Sequence, residues 1–268
     1  MENFSLGEAP RGYIPRVEPH PEQLEFIRKE TGISAVMLDL HHATTLLNRG
    51  ETASHIFPGR TVVTTSTIQD SKLQRLHWEA ELDIVRLFGP RWHIPCDWPV
   101  YLSDSERVRS WSIGQMVTTT IRMSEALSGT GTSLLPLLKG VTISEWRQCF
   151  TPLEEAGFRG FAYYGAQYFG RGRGNRRREI VSDVWSMVQE LPIEYLMMVG
   201  VQSESVIPRM PVCVRAYAGQ GWRAASGVGR VSPEVARCRL RSWAPFASRK
   251  MRSRQSALST WNCIPRGD

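Results

Sequence analysis

Residues 134–165 read LLPLLKGVTISEWRQCFTPLEEAGFRGFAYYG and contain a strand, a helix and a second strand in succession. The apolar run at 132–140 is typical of a buried strand. Residues 142–157 predict a helix, with Ser144 as its N-cap and Gly157 as its stop. The run at 158–166 predicts the next strand. A helix between two buried strands indicates that the strands pair in parallel.

The same alternation extends along the chain in both directions. With the two strands above, further strands are expected at 33–42, 60–67, 91–101, 193–200 and 211–219. Helices are expected at 20–32, 71–89, 105–129 and 175–191, with a short one at 203–210. Seven strands alternating with helices predict an α/β fold of the TIM-type (β/α)8 barrel class, and a doubly wound sheet is the alternative.

Two of these helices carry more detailed expectations. Asp104 or Ser105 is expected to cap the helix at 105–129. The helix at 71–89 is expected to be amphipathic. Its predicted apolar positions are Leu73, Leu76, Ala80, Ile84 and Leu87.

The length allows either two small domains or one large domain, and α/β barrels of this length are commonly single domains. The chain has 268 residues, of which 41% are hydrophobic, enough to bury a sizeable core. No apolar run approaches the roughly 18 residues that span a bilayer. The N-terminus shows no basic region followed by an apolar one, so we expect no signal peptide and a cytoplasmic protein.

The positive net charge is concentrated at the C-terminus. Residues 223–268 hold ten Lys or Arg and two acidic residues, whereas the other 222 residues hold 23 basic and 24 acidic groups. We therefore expect a barrel domain at 1–223 and an irregular, disordered Arg/Ser-rich tail at 224–268. The near-neutral body shows that the overall charge says little about binding partners.

In a (β/α) barrel, chemistry is located at the carboxyl ends of the strands, which directs attention to Asp97 and Asp39. Asp97 lies in PCDWPV beside Trp98 and close to Trp92. A carboxylate there could be a nucleophile or could bind the edge of a base, and the alternative is a cap for the next loop.

Asp39 has a similar position at the end of a strand, and His41 and His42 follow it. Neighbouring histidines in a strand point to opposite faces, so no metal site is predicted here. Asp39 is instead a candidate for a supporting acid–base role. The five cysteines are widely spaced and form no CxxC pair, so neither a zinc site nor a disulfide framework is indicated.

The string GRGRGN at 170–175 has four possible interpretations. Its alternating glycines are similar to a dinucleotide-binding loop and to an RGG segment, but it lies late in the chain between a strand and a helix. We expect a strand-to-helix loop in which Arg171, Arg173 and Arg176 bind phosphates beside the amides of the helix start. The alternative is a solvated surface loop.

Three strings together resemble the tRNA-guanine transglycosylase superfamily, and more narrowly its DpdA-like branch, which inserts 7-deazaguanine bases into DNA. IPCDWPV (94–100) is similar to a strand of that branch that ends in Pro-x-Asp-Trp. Residues 134–165 resemble the family's strand with a Gln-Gly end, the following helix and the next glycine-rich strand. LPIEYLMMVGV (191–201) resembles a further family string, and the similarity covers about residues 30–223.

The resemblance implies a (β/α)8 barrel that exchanges guanine for a 7-deazaguanine base by double displacement through a carboxylate. It points to Asp97 as the matching carboxylate, which would act as nucleophile or bind the base. The family's Asp-Ser-Gly-Gly string is absent, and Asp39 in LDLHH, the second catalytic candidate, is only a weak substitute for it. The positions that the resemblance implies for base binding are Lys139, Gly140, Tyr164, Gly165 and Gln220. Its partners would be DNA, or alternatively tRNA, with a free 7-deazaguanine base and other proteins of a DNA-modification system, and no membrane.

The sequence also departs from the family pattern. Lys139-Gly140 replaces the usual Gln-Gly, and Tyr164-Gly165 replaces a Gly-Gly pair. The strand at 212–219 has no Asp, and the zinc cysteines of the tRNA enzymes are missing, which favours DNA and predicts no cofactor.

Two other kinds of protein stay open, an inactive nucleic-acid-binding relative and a barrel enzyme for small molecules. The transglycosylase hypothesis requires that Asp97, Tyr164 and Gln220 meet at a pocket wide enough for a purine. If Asp97 faced away from any cavity, the enzyme hypothesis would fail.

Overall fold

The computed structural model describes residues 7–67, 73, 76–169, 176–201, 203 and 205–226. Within them, eight parallel strands form one sheet in the order β5-β4-β3-β2-β1-β8-β7-β6. The strands are β1 Gly12–Val17, β2 Ala35–Asp39, β3 Thr61–Thr65, β4 Trp92–Ile94, β5 Ser133–Leu134, β6 Gly160–Tyr164, β7 Tyr195–Val199 and β8 Val214–Gly219. The predicted α/β class and parallel pairing are confirmed.

Helices connect successive strands. They are α1 Pro21–Lys29, α2 Leu40–Leu47, α3 Ala53–Ile56, α4 Trp78–Phe88, α5 Glu106–Ala126, α6 Ile143–Glu155, α7 Arg177–Glu190 and α8 Gly221–Ser226. Two short 3₁₀ helices lie at Ala166–Tyr168 and Ile207–Arg209. No helix in the described part of the chain is long and apolar enough to cross a membrane.

The two ends of the strand order are linked through the segment that follows β5. The Leu138 amide donates to the Ala162 carbonyl at 2.8 Å, and the Ala162 amide donates to the Pro136 carbonyl at 2.8 Å. Ala162 belongs to β6, at the opposite end of the order. The curled, all-parallel sheet with its helices is therefore compatible with a TIM-type fold.

The sheet has two apolar faces because side chains alternate along each strand. On one face, Val17, Leu38 and Val62 pack with residues of α1 and α2 and with Trp222 of α8. The opposite face contributes to a larger core, whose strand residues include Ile14, Met37, Val63, Trp92 and Ile94. The side chains of Arg16 and Asp39 also lie on this second face, at the carboxyl end of the sheet.

The helix caps explain where two long helices begin. The Ser105 hydroxyl accepts from the Val108 amide at 3.4 Å, so Ser105 caps α5. The expected cap Ser144 is wrong, since it lies inside α6. Thr142 has extended backbone and its hydroxyl accepts from the Glu145 amide at 3.2 Å, the N-cap geometry that the prediction assigned two residues too late.

Several elements differ from the sequence prediction. β1, α2 and α3 were not predicted, and β1 raises the number of strands within the described residues from the predicted seven to eight. The predicted boundary between residues 223 and 224 lies inside α8, and the tail from residue 227 onwards lies outside the described residues.

Candidate functional site

Several of the predicted site residues that the structure describes lie at the carboxyl edge of the sheet, where parallel strands bring their ends together. Asp39 ends β2, Tyr164 ends β6 and Gln220 follows β8. Asp97 and Lys139 lie in the segments after β4 and β5. The contacts of these residues form two groups, one around Asp97 and one around Asp39.

Asp97 is buried, with 7% of its surface exposed, and forms an ion pair with Lys139. The Lys139 Nζ atom lies 2.5 Å from Oδ1 of Asp97 and also donates to the Trp98 carbonyl at 3.1 Å. Water screens such a buried pair only weakly. Lys139 therefore acts as the countercharge of the Asp97 carboxylate.

The backbone before Asp97 is strained. Cys96 has φ +53°, the only positive φ of a non-glycine residue in the described ranges. Its amide donates to Oε1 of Glu81 at 2.9 Å, and the Asp97 amide donates to Oγ of Ser66 at 3.0 Å. These two bonds hold the turn that directs Asp97, and strained backbone of this kind is common at functional sites.

A buried polar network supports the turn from below. Oε1 of Glu81 lies 2.8 Å from Nε2 of His93, and Nδ1 of His93 lies 2.8 Å from Oγ1 of Thr64. Glu81 and His93 are 2% and 0% exposed. The network joins α4, β4 and β3, and sequence reasoning missed all three residues.

The helix that supplies Glu81 buries a different face from the predicted one. Leu82, Val85 and Phe88 are buried together with Glu81, whereas Ala80 is exposed and Leu87 is 69% exposed. The predicted face at Leu73, Leu76, Ala80, Ile84 and Leu87 is therefore wrong for its two exposed members. An acidic residue on the buried face of a helix can indicate a functional site. Glu81 could not be recognised in this way because the sequence predicted a different buried face.

A cavity of about 430 Å³ lies beside Asp97, between α4, α5 and the loop after β4. Trp78, Trp98 and Pro99 line it together with Asp97, and α5 contributes Arg122. The volume falls in the range of ordinary small-molecule sites, and the combination of apolar walls with few polar groups is typical of them. Asp97 thus borders a cavity.

The second group is centred on Asp39. Its Oδ1 atom accepts from Nε of Arg16 at 2.5 Å, and Arg16 also donates to the Thr67 carbonyl at 2.9 Å. The Oδ2 atom lies 4.0 Å from Nδ1 of His41. Burial raises the pKa of the Asp39 carboxyl above its ordinary value, although Arg16 opposes this shift.

The two histidines belong to α2 rather than to a strand. The expectation that they point to opposite faces is therefore wrong, because strand alternation does not apply to them. Their ring centroids are 3.9 Å apart. One ligand atom from each of Asp39, His41 and His42 lies within 4.8 Å of the others.

Gln220 joins this second group and not the cavity beside Asp97. Its Nε2 atom donates to Oε1 of Glu18 at 3.1 Å, and Arg223 donates to the same oxygen at 3.0 Å. Neither Gln220 nor Tyr164 is among the described residues that line the cavity, so the expected meeting of Asp97, Tyr164 and Gln220 is not observed there. Tyr164 is half-buried and packs against the larger core.

The two predicted base-binding glycines have structural reasons of their own. Gly140 has φ +145°, and a Cβ there would lie 2.8 Å from Cδ1 of Trp146. A Cβ on Gly165 would lie 2.3 Å from Cγ2 of Val201 and 2.7 Å from Cδ1 of Ile180. Close packing therefore requires glycine at both positions whether or not a base binds.

The predicted phosphate-binding loop is described only at its end. Arg171 and Arg173 lie outside the described residues. Arg176 is exposed just before α7, pairs with Glu179 and lies 5.6 Å from the centre of the Tyr168 ring. Its guanidinium thus has intramolecular partners.

No protein-family model matches the chain, and a search of curated proteins finds no match. Function therefore has to be inferred from the geometry of the two groups.

Proposed function

We propose that the chain is a guanine transglycosylase of nucleic acid, built on a TIM-type (β/α)8 barrel, which exchanges guanine in DNA for a 7-deazaguanine base. The observation that carries the proposal is the environment of Asp97. A buried carboxylate follows strand β4, has Lys139 as its countercharge and borders a cavity with tryptophan walls. A cavity with aromatic walls beside a carboxylate held in place suits a purine and its sugar.

In the proposed reaction, Asp97 is the nucleophile. Its carboxylate forms a bond to the anomeric carbon of the target nucleotide as the bond to guanine breaks, and guanine leaves with the bonding electrons and takes up a proton. The incoming 7-deazaguanine loses a ring proton and displaces the carboxylate. Two inversions restore the original configuration, as in retaining glycosidases.

The surroundings of Asp97 fit a nucleophile that must stay in place. The hydrogen bonds from the Cys96 and Asp97 amides to Glu81 and Ser66 fix the turn. The Asp97 side chain therefore loses little conformational freedom when substrate binds. Trp98 packs edge to face on Trp111, with ring centroids 5.1 Å apart. This contact holds one wall of the cavity.

Asp39 is the second carboxylate of the proposal, in acid–base support of the leaving base. A chain of contacts leads from its group towards Asp97, because Arg16 binds both Asp39 and the Thr67 carbonyl, and the neighbouring Ser66 accepts from the Asp97 amide. The base-binding roles of Lys139, Gly140, Tyr164, Gly165 and Gln220 stay proposals, as do phosphate contacts by Arg171, Arg173 and Arg176.

A non-catalytic nucleic-acid-binding protein is the second candidate. The observation that favours it is the position of Gln220, which bonds to Glu18 rather than lining the cavity beside Asp97. Such a protein would bind nucleic acid without exchanging bases.

An exchange assay separates these candidates. Duplex DNA and tRNA are each incubated with a labelled 7-deazaguanine base and with wild-type protein, Asp97→Asn or Asp104→Asn. Asp104 is a matched control, because its carboxylate accepts from the Tyr101 amide in the same loop. We expect incorporation into DNA that falls by at least about 10³-fold in Asp97→Asn and is unchanged in Asp104→Asn.

Three results would change the proposal. Incorporation that persists in Asp97→Asn would remove Asp97 from the mechanism. Label in tRNA alone would reassign the substrate. Binding of DNA by the wild type without any exchange would favour the second candidate.

A further inference from the structure

We propose that Asp39, His41 and His42 form a three-ligand site for a divalent transition-metal ion such as Zn²⁺. One carboxylate and two imidazoles are a ligand set that binds zinc with an open coordination position, and the same set binds non-haem iron. The inference does not depend on the proposed function.

The distances fit a common ion. Two ligand atoms that each lie about 2.1 Å from one tetrahedral ion are about 3.4 Å apart. Oδ2 of Asp39 and Nδ1 of His41 are 4.0 Å apart, which is slightly longer. The ligand atoms of all three residues lie within 4.8 Å of one another, so side-chain rotations that shorten these separations by up to roughly 1.4 Å complete the set.

The backbone presents the three side chains together. Asp39 is the last residue of β2 and the N-cap residue of α2, but its side chain makes no capping hydrogen bond. The carboxylate is turned towards Arg16 and His41 instead. His41 and His42 follow in the first turn of α2 with their rings 3.9 Å apart, which places two imidazoles on the same side as the carboxylate.

The contacts of Asp39 give its two carboxylate oxygens different roles. Arg16 binds Oδ1 of Asp39, which fixes the carboxylate and leaves Oδ2 towards the histidines. Partners of this kind orient metal ligands and tune their affinity. The positive charge of Arg16 opposes cation binding, and the negative charge of the nearby Glu18 is shared with Arg223.

The place of the site gives it a functional meaning. It lies at the carboxyl edge of the strands, where β/α folds hold their active sites. An ion at Asp39 would occupy the carboxylate that the proposed function assigns to acid–base support. That support would then come from a water molecule on the ion, since a bound divalent metal makes water acidic.

Direct metal titration tests the site without nucleic acid. The full chain carries serine in place of Cys238 and Cys263, and bound metal is removed with a chelator. The protein is then titrated with Zn²⁺ by calorimetry. Co²⁺ is used as an optical reporter of coordination. We expect one equivalent of Zn²⁺, an affinity at least about ten-fold weaker in His41→Gln and in His42→Gln, and a Co²⁺ spectrum that changes in both. His55→Gln is the matched control, because His55 is an exposed histidine on α3, and it should bind like the starting protein.

Asp39→Asn tests the carboxylate, while circular dichroism checks that loss of the Arg16 contact leaves the fold intact. The inference is overturned if Zn²⁺ fails to bind, or if the His41→Gln/His42→Gln double variant binds it with unchanged affinity. If the wild-type protein binds Zn²⁺ but does not exchange bases, that result counts against the proposed function and not against the metal site.

Discussion

The Nζ atom of Lys139 lies 2.5 Å from Oδ1 of Asp97, and this ion pair joins the loop after β4 to the segment after β5. The side chains are only 14% and 6% exposed, so the pair is largely removed from water. Replacing Lys139 by Met leaves the Asp97 charge buried and without its countercharge. We expect the free energy of unfolding to fall by about 3 kcal/mol, as measured by urea denaturation.

The double variant Asp97→Asn/Lys139→Met provides the control for this prediction. Because it removes both charges, it should be less destabilised than the sum of the two single variants. The exposed pair Arg147–Glu190 gives the comparison on the surface, where Arg147→Met should change stability by less than about 0.5 kcal/mol. An equal cost for Lys139→Met and Arg147→Met would show that burial of the Asp97 pair has no energetic effect.

Glu81 carries a second prediction, because one of its oxygens accepts from both the Cys96 amide and His93. Glu81→Leu leaves both of these buried groups unsatisfied, and we expect a loss of about 3 kcal/mol in unfolding free energy. Glu81→Gln keeps an acceptor oxygen and should lose about 1 kcal/mol. Glu79→Gln, at an exposed position of the same helix, is the control, and a similar result for all three variants would contradict the role of Glu81.

Uninterrupted apolar runs are the clearest strand signals in the sequence. β2, with AVMLD buried throughout, and β7, with YLMMV buried throughout, show this pattern. β1 was missed because its sequence GYIPRV contains a proline and an arginine. The strand still forms, since it pairs with β8 through residues 12–15 and with β2 through residues 16–17. Its pairing partners, β2 and β8, lie elsewhere in the chain, so the local sequence of β1 does not reveal them.

The candidate site was predictable only in part, for a related reason. Asp97 and Asp39 were found because a buried strand ends at each, which is a local signal. Glu81, His93 and Ser66 hold Asp97 in place from three different elements, and no spacing along the chain brings them together. The sequence misleads about the directions of His41 and His42. Because α2 begins directly after β2, its first turn resembles the end of a strand.

Gly165 carries a third prediction, which separates packing from base binding. A methyl group at this position would overlap Val201 and Ile180, so Gly165→Ala should lower the unfolding free energy by about 1–3 kcal/mol. Gly114 in α5 is the matched control, because a Cβ there meets nothing within 4 Å. Gly114→Ala should raise stability by about 0.5–1 kcal/mol, since alanine favours a helix interior. Thermal or urea unfolding of both variants measures the difference, and a neutral Gly165→Ala would contradict the packing requirement.

The buried thiols carry a prediction about reactivity. Burial raises the pKa of Cys149 to about 12 and of Cys213 to about 11, and it raises that of Cys96 well above its ordinary value. A higher pKa means less thiolate at a given pH, and thiolate is the reactive form. In a Cys238→Ser/Cys263→Ser background at about pH 8, we expect these three thiols to react with a chromogenic disulfide at least about 10²-fold more slowly in the native protein than in urea. Fast labelling of Cys96 in the native state would show that the cavity beside Asp97 opens to solvent.

The same shifts predict how stability depends on pH. An unfolded cysteine loses its proton near pH 8.5, whereas Cys213 and Cys149 keep theirs in the folded protein until about 11 and about 12. The folded state therefore binds more protons across this window, and the free energy of unfolding must fall as the pH rises through it. We expect urea midpoints that decrease between about pH 8.5 and 11, and a smaller decrease in Cys213→Ala, which removes one of the three buried thiols. A midpoint that rises over this range would contradict the burial of both groups.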